Sequence, residues 1–299
     1  MSISRPGSWR RWRLVLTGCL AAAVGAVALL VTTTQGAAAR GDAVGRGGSH
    51  PRLFRSAGTT RPVIVLEHGA WADASSWRRV IVRLQSDGYT VYAPPNPLRG
   101  LPSDSAYLHD FLTEDPSLQG HPIVLVGHSY GGAVITNAAV GAPGVVALVY
   151  IDAFIPDQGQ SLLNLDAGSC LGGNPADLFD LVPYPGSPPG DVDTYIKPNV
   201  VQACFATGLP ARQAAVIAAT QRPLAASTLS EPSGPPAWKN LPSWAVVGTG
   251  DKVIPPADQL TMAHRAGARI TEVNAGHLSL ISRPQTVTEV IERAARATG

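Results

Sequence analysis

Short apolar segments of strand length alternate with segments of helical periodicity through most of this chain. The strand-like segments are residues 62–66, 89–93, 123–126, 145–151, 244–247 and 270–273. Helical spacing of apolar residues marks residues 75–85, 103–112, 130–140, 258–266 and 285–297, with Ser103 as the N-cap of the second helix. Strands that are apolar on both faces need helices on both sides. The pattern therefore predicts an α/β fold with a mostly parallel central sheet and helices on both faces.

One long segment, residues 155–240, interrupts this alternation and is rich in proline, glycine and aspartate. It is too long to be an ordinary connection within a compact domain, and its clearest helix spans residues 211–219. We interpret it as a cap inserted into an α/β core. That core would consist of residues 62–154 and 241–299.

The first 39 residues have the order of a secretory signal. Four arginines, the last of them Arg13, precede an apolar run at residues 14–31, and small residues end the segment at Ala39. We predict a signal peptide at residues 1–39, a leader of the mature chain at residues 40–61, and export by Sec or Tat to the extracellular space. A retained membrane anchor is the alternative reading, whereas signal cleavage would leave no stable membrane association.

The charge of the exported part argues against nucleic-acid binding. The whole chain has 23 basic and 21 acidic residues, and four of the arginines lie in the predicted signal, which contains no acid. The remainder therefore carries 19 basic against 21 acidic residues. Without a basic excess it lacks the charge needed to follow a phosphate backbone, and we expect no nucleic-acid partner.

Two cysteines, Cys170 and Cys204, remain after removal of the predicted signal. Because an exported protein meets an oxidising environment, we predict a disulfide between them, with two separately buried thiols as the alternative. No cluster of cysteine and histidine has the spacing of a zinc site, so no structural metal is predicted.

The strongest chemical signal is Gly127-His128-Ser129-Tyr130-Gly131, which lies between an apolar strand and an apolar helix. A G-x-S-x-G sequence in that context predicts a nucleophile elbow, a sharp turn that presents a serine hydroxyl. Glycines on either side of the serine allow the strand and the helix to approach closely. Ser129 is therefore the candidate nucleophile.

A serine hydroxyl becomes a good nucleophile when an imidazole takes its proton and an acid supports the imidazole. His277 follows the last predicted strand and is the candidate base, whereas His128 sits on the elbow in a poor position for this role. Asp251 follows the preceding strand and is our choice for the acid. Asp152, at the end of an earlier strand, is the alternative.

Two backbone N–H groups are expected to stabilise the oxyanion of the tetrahedral intermediate. We assign one to Tyr130, directly after the nucleophile, and one to Ala70, in the loop that follows the first strand. Trp71 and His68 of the same loop are candidate pocket residues. His68 could alternatively serve only the turn, through a hydrogen bond to the backbone.

These residues and several further motifs resemble the α/β-hydrolase superfamily, in particular the bacterial esterase-like branch related to plant methyl esterases and hydroxynitrile lyases. The motifs are His68-Gly69-Ala70-Trp71, Ser75-Ser76-Trp77, Pro94-Pro95-Asn96-Pro97-Leu98-Arg99-Gly100, Gly127-His128-Ser129-Tyr130-Gly131-Gly132, Asp152-Ala153-Phe154-Ile155-Pro156, Gly250-Asp251 and Gly276-His277. The resemblance implies a Ser129–His277–Asp251 triad, oxyanion donors at Ala70 and Tyr130, and no cofactor. It also implies a central sheet of six to seven strands instead of eight, because no antiparallel hairpin is evident before Pro62. Lyases of this branch carry lysine directly after the histidine, whereas this chain has Leu278, which favours hydrolysis.

The sequence therefore predicts a secreted serine hydrolase that cleaves carboxylic esters of small to medium apolar substrates through an acyl-enzyme. Lactones and thioesters are further options within this class. The alternatives are a cofactor-free lyase or perhydrolase on the same triad, and a ligand-binding protein that has the hydrolase fold without turnover. The expected partner is a small-molecule ester, and the oligomeric state is left open.

Overall fold

The structure, a computed structural model, describes residues 61–299. The predicted signal peptide and all but the last residue of the predicted leader lie outside this range. Within the described range, no helix combines the length and the apolar character needed to cross a lipid bilayer.

Nine strands form two sheets in the described part of the chain. The strands are β1 (Val63–Glu67), β2 (Val91–Tyr92), β3 (Ile123–His128), β4 (Val145–Ile151), β5 (Phe179–Val182), β6 (Asp193–Ile196), β7 (Leu224–Ala225), β8 (Ser243–Gly248) and β9 (Arg269–Val273). Six of them build a parallel sheet in the order β2-β1-β3-β4-β8-β9. The prediction of a parallel sheet of six to seven strands is confirmed.

The helices cover this sheet as the alternation of the sequence predicts. They are α1 (Arg78–Ser86), α2 (Leu101–Glu114), α3 (Tyr130–Ala138), α4 (Pro175–Leu178), α5 (Pro198–Val200), α6 (Ala211–Thr220), α7 (Pro256–Arg265), α8 (Ser279–Ser282) and α9 (Pro284–Thr298). Short 3₁₀ segments add residues Ala74–Trp77, Leu162–Asn164, Ala226–Ser230 and Ala237–Lys239, and Val201–Phe205 forms a π-helical turn. α1 packs against α9, whereas α2 packs against α3.

The strand order reverses between β1 and β3, and this reversal positions the site. From β1 the chain crosses to β2 on one side, whereas all later core strands are added on the other side. Right-handed crossovers then place α1 on one face of the sheet and α2 and α3 on the opposite face. Ligands of such sheets bind where the order reverses, outside the carboxyl ends of the strands. The loops after β1 and β3 lie at this point.

The boundaries of β2 and α2 differ from the sequence prediction. The strand expected at residues 89–93 is only Val91–Tyr92, because the N–H of Tyr89 still bonds to the carbonyl of Leu84 at the end of α1. Ser103 is not the N-cap of α2. That helix begins at Leu101 with Gly100 as its N-cap, and the Ser103 hydroxyl donates to the carbonyl of Gly100 at 3.0 Å.

The segment predicted as a cap contains the antiparallel sheet β5-β6-β7 and the helices α4, α5 and α6. It is tied to the loop after β2 by the hydrogen bond from Ala225 N–H to Leu98 O at 3.1 Å and by the ion pair of Arg99 with Asp193. The Trp71 indole N–H adds a bond to the Thr194 carbonyl at 3.0 Å. The segment therefore lies against the loops at the carboxyl edge of the central sheet.

Cys170 and Cys204 form the predicted disulfide, which links two distant parts of this segment. Cys204 lies in the π-helical turn, and Cys170 N–H donates to Lys252 O at 2.8 Å, directly after Asp251. The bond closes a loop with a sequence separation of 34 residues. It thereby fixes the π-helical turn beside the loop that carries Asp251.

Replacing both Cys170 and Cys204 with serine should lower the free energy of unfolding by about 3 to 4 kcal/mol, since a loop of this length is no longer closed in the unfolded chain. Urea denaturation followed by circular dichroism measures the difference. The wild type under dithiothreitol should unfold at the midpoint of the double variant. Equal midpoints for oxidised wild type and double variant would contradict the expectation.

Candidate active site

Ser129 occupies a strained turn between β3 and α3. Its backbone has φ 54° and ψ −124°, a conformation that residues other than glycine seldom adopt. Its N–H donates to Ile151 O at 3.2 Å. A Cβ at Gly127 would lie 2.5 Å from Gly131 O, and a Cβ at Gly131 would lie 2.7 Å from Glu67 O. Glycine is therefore required on both sides of the serine, as the elbow motif predicts.

His277 lies in the loop after β9 and reaches both candidate partners. Its Nε2 is 2.9 Å from Ser129 Oγ, and its Nδ1 is 2.8 Å from Asp251 Oδ2. A carboxylate only accepts hydrogen bonds, so Nδ1 carries the proton and donates to Asp251. Nε2 is then free to accept from the Ser129 hydroxyl. This tautomer is the one that can take the serine proton.

Asp251 is held rigidly in the turn after β8. Its Oδ1 accepts from Val253 N–H at 2.8 Å and Ile254 N–H at 3.1 Å. Its Oδ2 accepts from the Gln259 side-chain amide at 2.7 Å in addition to His277. Gln259 carries no motif and follows Asp251 by eight residues on α7, so sequence reasoning had no signal by which to find it.

Asp152, the alternative acid, does not contact the imidazole nitrogens. Its two oxygens accept from Gly248 N–H at 2.9 Å and Ser279 N–H at 3.0 Å. Burial, together with the charge of Asp251, raises the pKa of Asp152 to about 7. Asp251 is thus hydrogen-bonded to the His277 ring, whereas Asp152 is hydrogen-bonded to the backbone of Gly248 and Ser279.

Burial alone lowers the pKa of His277, but the charge and hydrogen bond of Asp251, with a smaller effect of Asp152, raise it above its usual value.

The neighbouring His128 has a different environment and a different role. Burial and the proximity of His277 hold the pKa of His128 well below its usual value. Its neutral ring donates from Nε2 to the carbonyl of His277 at 3.0 Å. His128 therefore supports the backbone of His277 and does not approach Ser129 as a base.

The two residues predicted to supply the oxyanion donors, Tyr130 and Ala70, both lie close to Ser129. Tyr130 is the first residue of α3, where backbone N–H groups have no partner within the helix. Ala70 follows Gly69, whose Cα approaches the serine so closely that a Cβ there would lie 2.7 Å from Ser129 Cβ. The Tyr130 side chain points elsewhere, since its hydroxyl donates to Asp104 at 2.7 Å.

His68 braces the loop after β1 and is not among the residues that line the cleft beside Trp71. It is fully buried, its Nδ1–H donates to Gly69 O at 2.9 Å, and its Nε2 accepts from Asn96 N–H at 3.0 Å. The Asn96 amide returns a bond to His68 O at 3.2 Å. Burial lowers the pKa of His68 to about 4, so the ring is neutral. His68 therefore fulfils the alternative role, that of a turn residue bonded to the backbone.

Four non-glycine residues in the described part of the chain have left-handed backbone conformations, namely Trp71, Leu98, Ser129 and Asp152, with φ between 44° and 60°. They lie in the loops after β1, β2, β3 and β4, in that order. Backbone strain in these residues is thus concentrated at the carboxyl edge of the sheet.

A cleft of about 400 Å³ opens between α6 and the segment that begins at Trp71. Trp71, Phe205 and Leu278 line it on the side of the candidate site, whereas Ser129 and His277 themselves are not lining residues. Elsewhere the lining is partly polar, with Asp73, Arg78, Arg79 and Gln213. Leu278 directly follows His277, and the ring centroid of Phe205 lies 5.4 Å from that of His277. Trp71 therefore does line a cavity, whereas Phe205 is a wall residue that the sequence did not indicate.

The candidate triad itself is nearly closed to solvent. Ser129 is 3% exposed and His277 is fully buried. Within residues 61–299, no group of three or more histidine, cysteine or acidic side chains is arranged to hold a metal ion. The arrangement can perform nucleophilic attack by a serine whose partners are shielded from solvent, where hydrogen bonds and charges act strongly.

Comparisons with known proteins agree with this fold. The model of the alpha/beta hydrolase family matches residues 63–290. A carbendazim hydrolyzing esterase from Nocardioides sp. (strain SG-4G) is 36% identical over 110 residues, which is 34% of this chain and 46% of that relative, so less than half of the relative is spanned. An alpha/beta hydrolase, nvfD, from Aspergillus novofumigatus (strain IBT 16806) is 25% identical over 79% of this chain and 97% of the relative.

Solved structures share the fold at lower identity. An extracellular alpha/beta-hydrolase from a Paenibacillus species superposes with a TM-score of 0.62 at 21% identity, covering 78% of this chain and 98% of the other. Polyneuridine aldehyde esterase superposes with a TM-score of 0.65 at 19% identity, with the same coverage of 78% and 98%. These similarities establish the architecture around the site.

Proposed function

This chain belongs to the alpha/beta hydrolase family, and we propose that it is a serine hydrolase that cleaves carboxylic esters through an acyl-enzyme. The observation that carries the proposal is the unbroken line of hydrogen bonds from Ser129 Oγ to His277 at 2.9 Å and from His277 to Asp251 at 2.8 Å. Ser129 lies on the elbow after β3, next to the point where the strand order of the sheet reverses.

The first half of the reaction acylates the enzyme. Ser129 Oγ attacks the ester carbonyl while His277 Nε2 takes the hydroxyl proton, and Asp251 stabilises the imidazolium that forms. The N–H groups of Ala70 and Tyr130 are proposed to receive the negative oxygen of the tetrahedral intermediate. His277 then donates its proton to the departing alcohol, which leaves Ser129 esterified by the acyl group.

The second half uses the same groups on water. With the alcohol gone, His277 Nε2 accepts a proton from a water molecule that attacks the acyl carbonyl, and the same two N–H groups hold the new oxyanion. Collapse of this intermediate returns the proton to Ser129 Oγ and releases the carboxylic acid. No step requires a cofactor or a metal.

The cleft supports a substrate of small to medium size with an apolar group. Its volume of about 400 Å³ lies in the lower part of the range of small-molecule sites, and the lining residues next to His277, Phe205 and Leu278, are aromatic and apolar. Relatives named as a carbendazim hydrolyzing esterase and a putative methylesterase of Arabidopsis thaliana also support ester cleavage. Leu278 beside the base, in place of a lysine, favours hydrolysis over a lyase reaction.

We further propose that residues 155–240 act as a cap over a core of residues 62–154 and 241–299, and that the protein is secreted. The bonds of Thr194 and Ala225 to the core loops support the first proposal. The basic and apolar order of the first 39 residues and the disulfide support the second.

A series of p-nitrophenyl esters from acetate to palmitate tests the reaction and the size of the pocket together. The wild type should release p-nitrophenol, prefer the short and medium acyl chains, and be labelled at Ser129 by a fluorophosphonate. Heat-denatured protein is the control for labelling. A steady rise of rate up to palmitate would contradict the proposed pocket size. If the wild type is not labelled at Ser129 and hydrolyses none of these esters, the hydrolase proposal is overturned.

A further inference from the structure

Asp152 connects the two loops that carry the acid and the base of the proposed triad. Its Oδ1 accepts from Gly248 N–H at 2.9 Å, and Gly248 O in turn accepts from Asp251 N–H at 3.1 Å. Its Oδ2 accepts from Ser279 N–H at 3.0 Å, two residues after His277. A single buried carboxylate thus holds the backbone on either side of the bond between His277 and Asp251.

We infer that Asp152 is a positioning residue, which fixes the spacing of the Asp251 and His277 loops and places a second negative charge behind the imidazole of His277. This inference rests on the proposed function, because it assigns Asp152 a part in the same triad. It goes beyond that function in requiring a fourth ionisable side chain for full activity.

The backbone of Asp152 shows how firmly the carboxylate is held. Its φ is 44°, and its N–H donates to Val246 O at 2.9 Å across to β8. Aspartate is among the few residues besides glycine that adopt this conformation with some frequency. A glycine would satisfy the backbone equally well but would leave the N–H groups of Gly248 and Ser279 without their acceptor.

The charge state of Asp152 is set by opposing effects. Burial and the charge of Asp251 favour the neutral acid, whereas the contacts with Ser279 and the charge of His277 favour the carboxylate, and the pKa of Asp152 lies at about 7. The titratable groups that act on it are Asp251 in the loop after β8 and His277 in the loop after β9. The ring centroid of His128, at the end of β3, lies 4.9 Å from that of His277. His128 is neutral because burial lowers its pKa.

The sign of the effect on His277 follows from this arrangement. His277 must be neutral to accept the serine proton, and nearby negative charge raises its pKa. Loss of the Asp152 charge should therefore lower the pKa of His277 and move the acidic limb of the rate profile to lower pH. Because Asp152 is fully buried behind the triad and lies outside the cleft lining, substrate binding should hardly change.

The test compares the wild type with Asp152→Asn on p-nitrophenyl acetate over a range of pH. We expect kcat to fall by about ten- to a hundredfold through the loosened spacing, KM to stay within about twofold, and the acidic limb of kcat/KM to move down by about half a pH unit. Asp166→Asn is the matched control. Asp166 is partly buried, with a pKa raised by burial to about 6, and lies outside the triad loops, so this variant should retain the wild-type profile.

The outcomes separate the inference from the proposed function. If the wild type is active and labelled, and Asp152→Asn has the same kcat and the same pH profile as the wild type, the inference alone is overturned. A fall in kcat without any movement of the acidic limb would reduce Asp152 to a structural role and would also overturn it. A wild type without turnover or labelling would remove both.

A measurement on the wild type covers the case in which Asp152→Asn does not fold. The Nδ1 proton of His277, hydrogen-bonded to Asp251, can be followed by NMR as a function of pH. If Asp152 titrates beside it, the resonance should show an inflection near pH 7 in addition to that of His277 itself. A single inflection across the range would contradict the inference.

Discussion

Replacing Ser129 with alanine should lower kcat for ester hydrolysis by about 10⁴- to 10⁶-fold and abolish labelling by a fluorophosphonate. Among residues 61–299, Ser129 supplies the hydroxyl that is hydrogen-bonded to His277 Nε2, at 2.9 Å, so its loss removes the nucleophile that the base can activate. The fold should be unaffected, since alanine fits the same turn and loses only one buried oxygen. The rate of p-nitrophenyl acetate hydrolysis and the intact mass after labelling are the measurements.

The matched control is Ser243→Ala. Ser243 is as buried as Ser129, at 4% against 3% exposed, but it is the first residue of β8 and lies at the opposite end of the sheet from the triad. This variant should keep wild-type turnover and labelling. If Ser129→Ala kept even a tenth of the wild-type kcat, the acyl-enzyme route through Ser129 would be refuted.

Asp251→Asn should lower kcat by about 10³- to 10⁴-fold without disturbing the fold. The N–H groups of Val253 and Ile254 donate to Oδ1, so they would hold the amide oxygen of an asparagine in that position. The amide nitrogen would then face His277 Nδ1 and donate to it. The imidazole proton would be forced onto Nε2, which could no longer accept the proton of Ser129.

The pH profile and a control variant identify this cause. In Asp251→Asn the pKa of His277 should fall, because the charge that raises it most is gone. Asp258→Asn, on the same helix as Gln259, removes a carboxylate with no contact to His277 and should leave kcat unchanged. If Asp251→Asn kept a kcat near that of the wild type and Asp152→Asn lost most of it, Asp152 would be the acid and Asp251 the positioning residue.

Much of the core and the elbow could be predicted because local rules determine them. The alternation of apolar segments defines the six parallel strands, and the glycines at 127 and 131 are required by approaches as close as 2.5 Å. Asp152 and Asp251 each follow a strand whose carboxyl end meets the same edge, so chain order leaves both as candidate acids, and the pair preferred from the sequence is His277 and Asp251. The structure brings these residues together at hydrogen-bond distance.

The supporting residues could not be predicted, because their roles depend on contacts between segments far apart in the chain. Asn96 contacts His68 across 28 residues, and Phe205 packs on His277 from within the π-helical turn. No spacing rule connects such pairs. The same holds for Asp152, which the sequence offers only as an alternative acid, since its bonds run to backbone N–H groups 96 and 127 residues away.

The left-handed residues after the first four strands have a consequence for how this protein loses function. Each such conformation is unfavourable by about 1 to 3 kcal/mol and persists only while its surroundings hold it. Loosening of the loops at this edge lets Ser129 and Asp152 relax to ordinary backbone angles before any strand separates. Turnover is then a more sensitive gauge of intact tertiary packing than circular dichroism, and mild denaturant should silence the enzyme while its sheet is still whole.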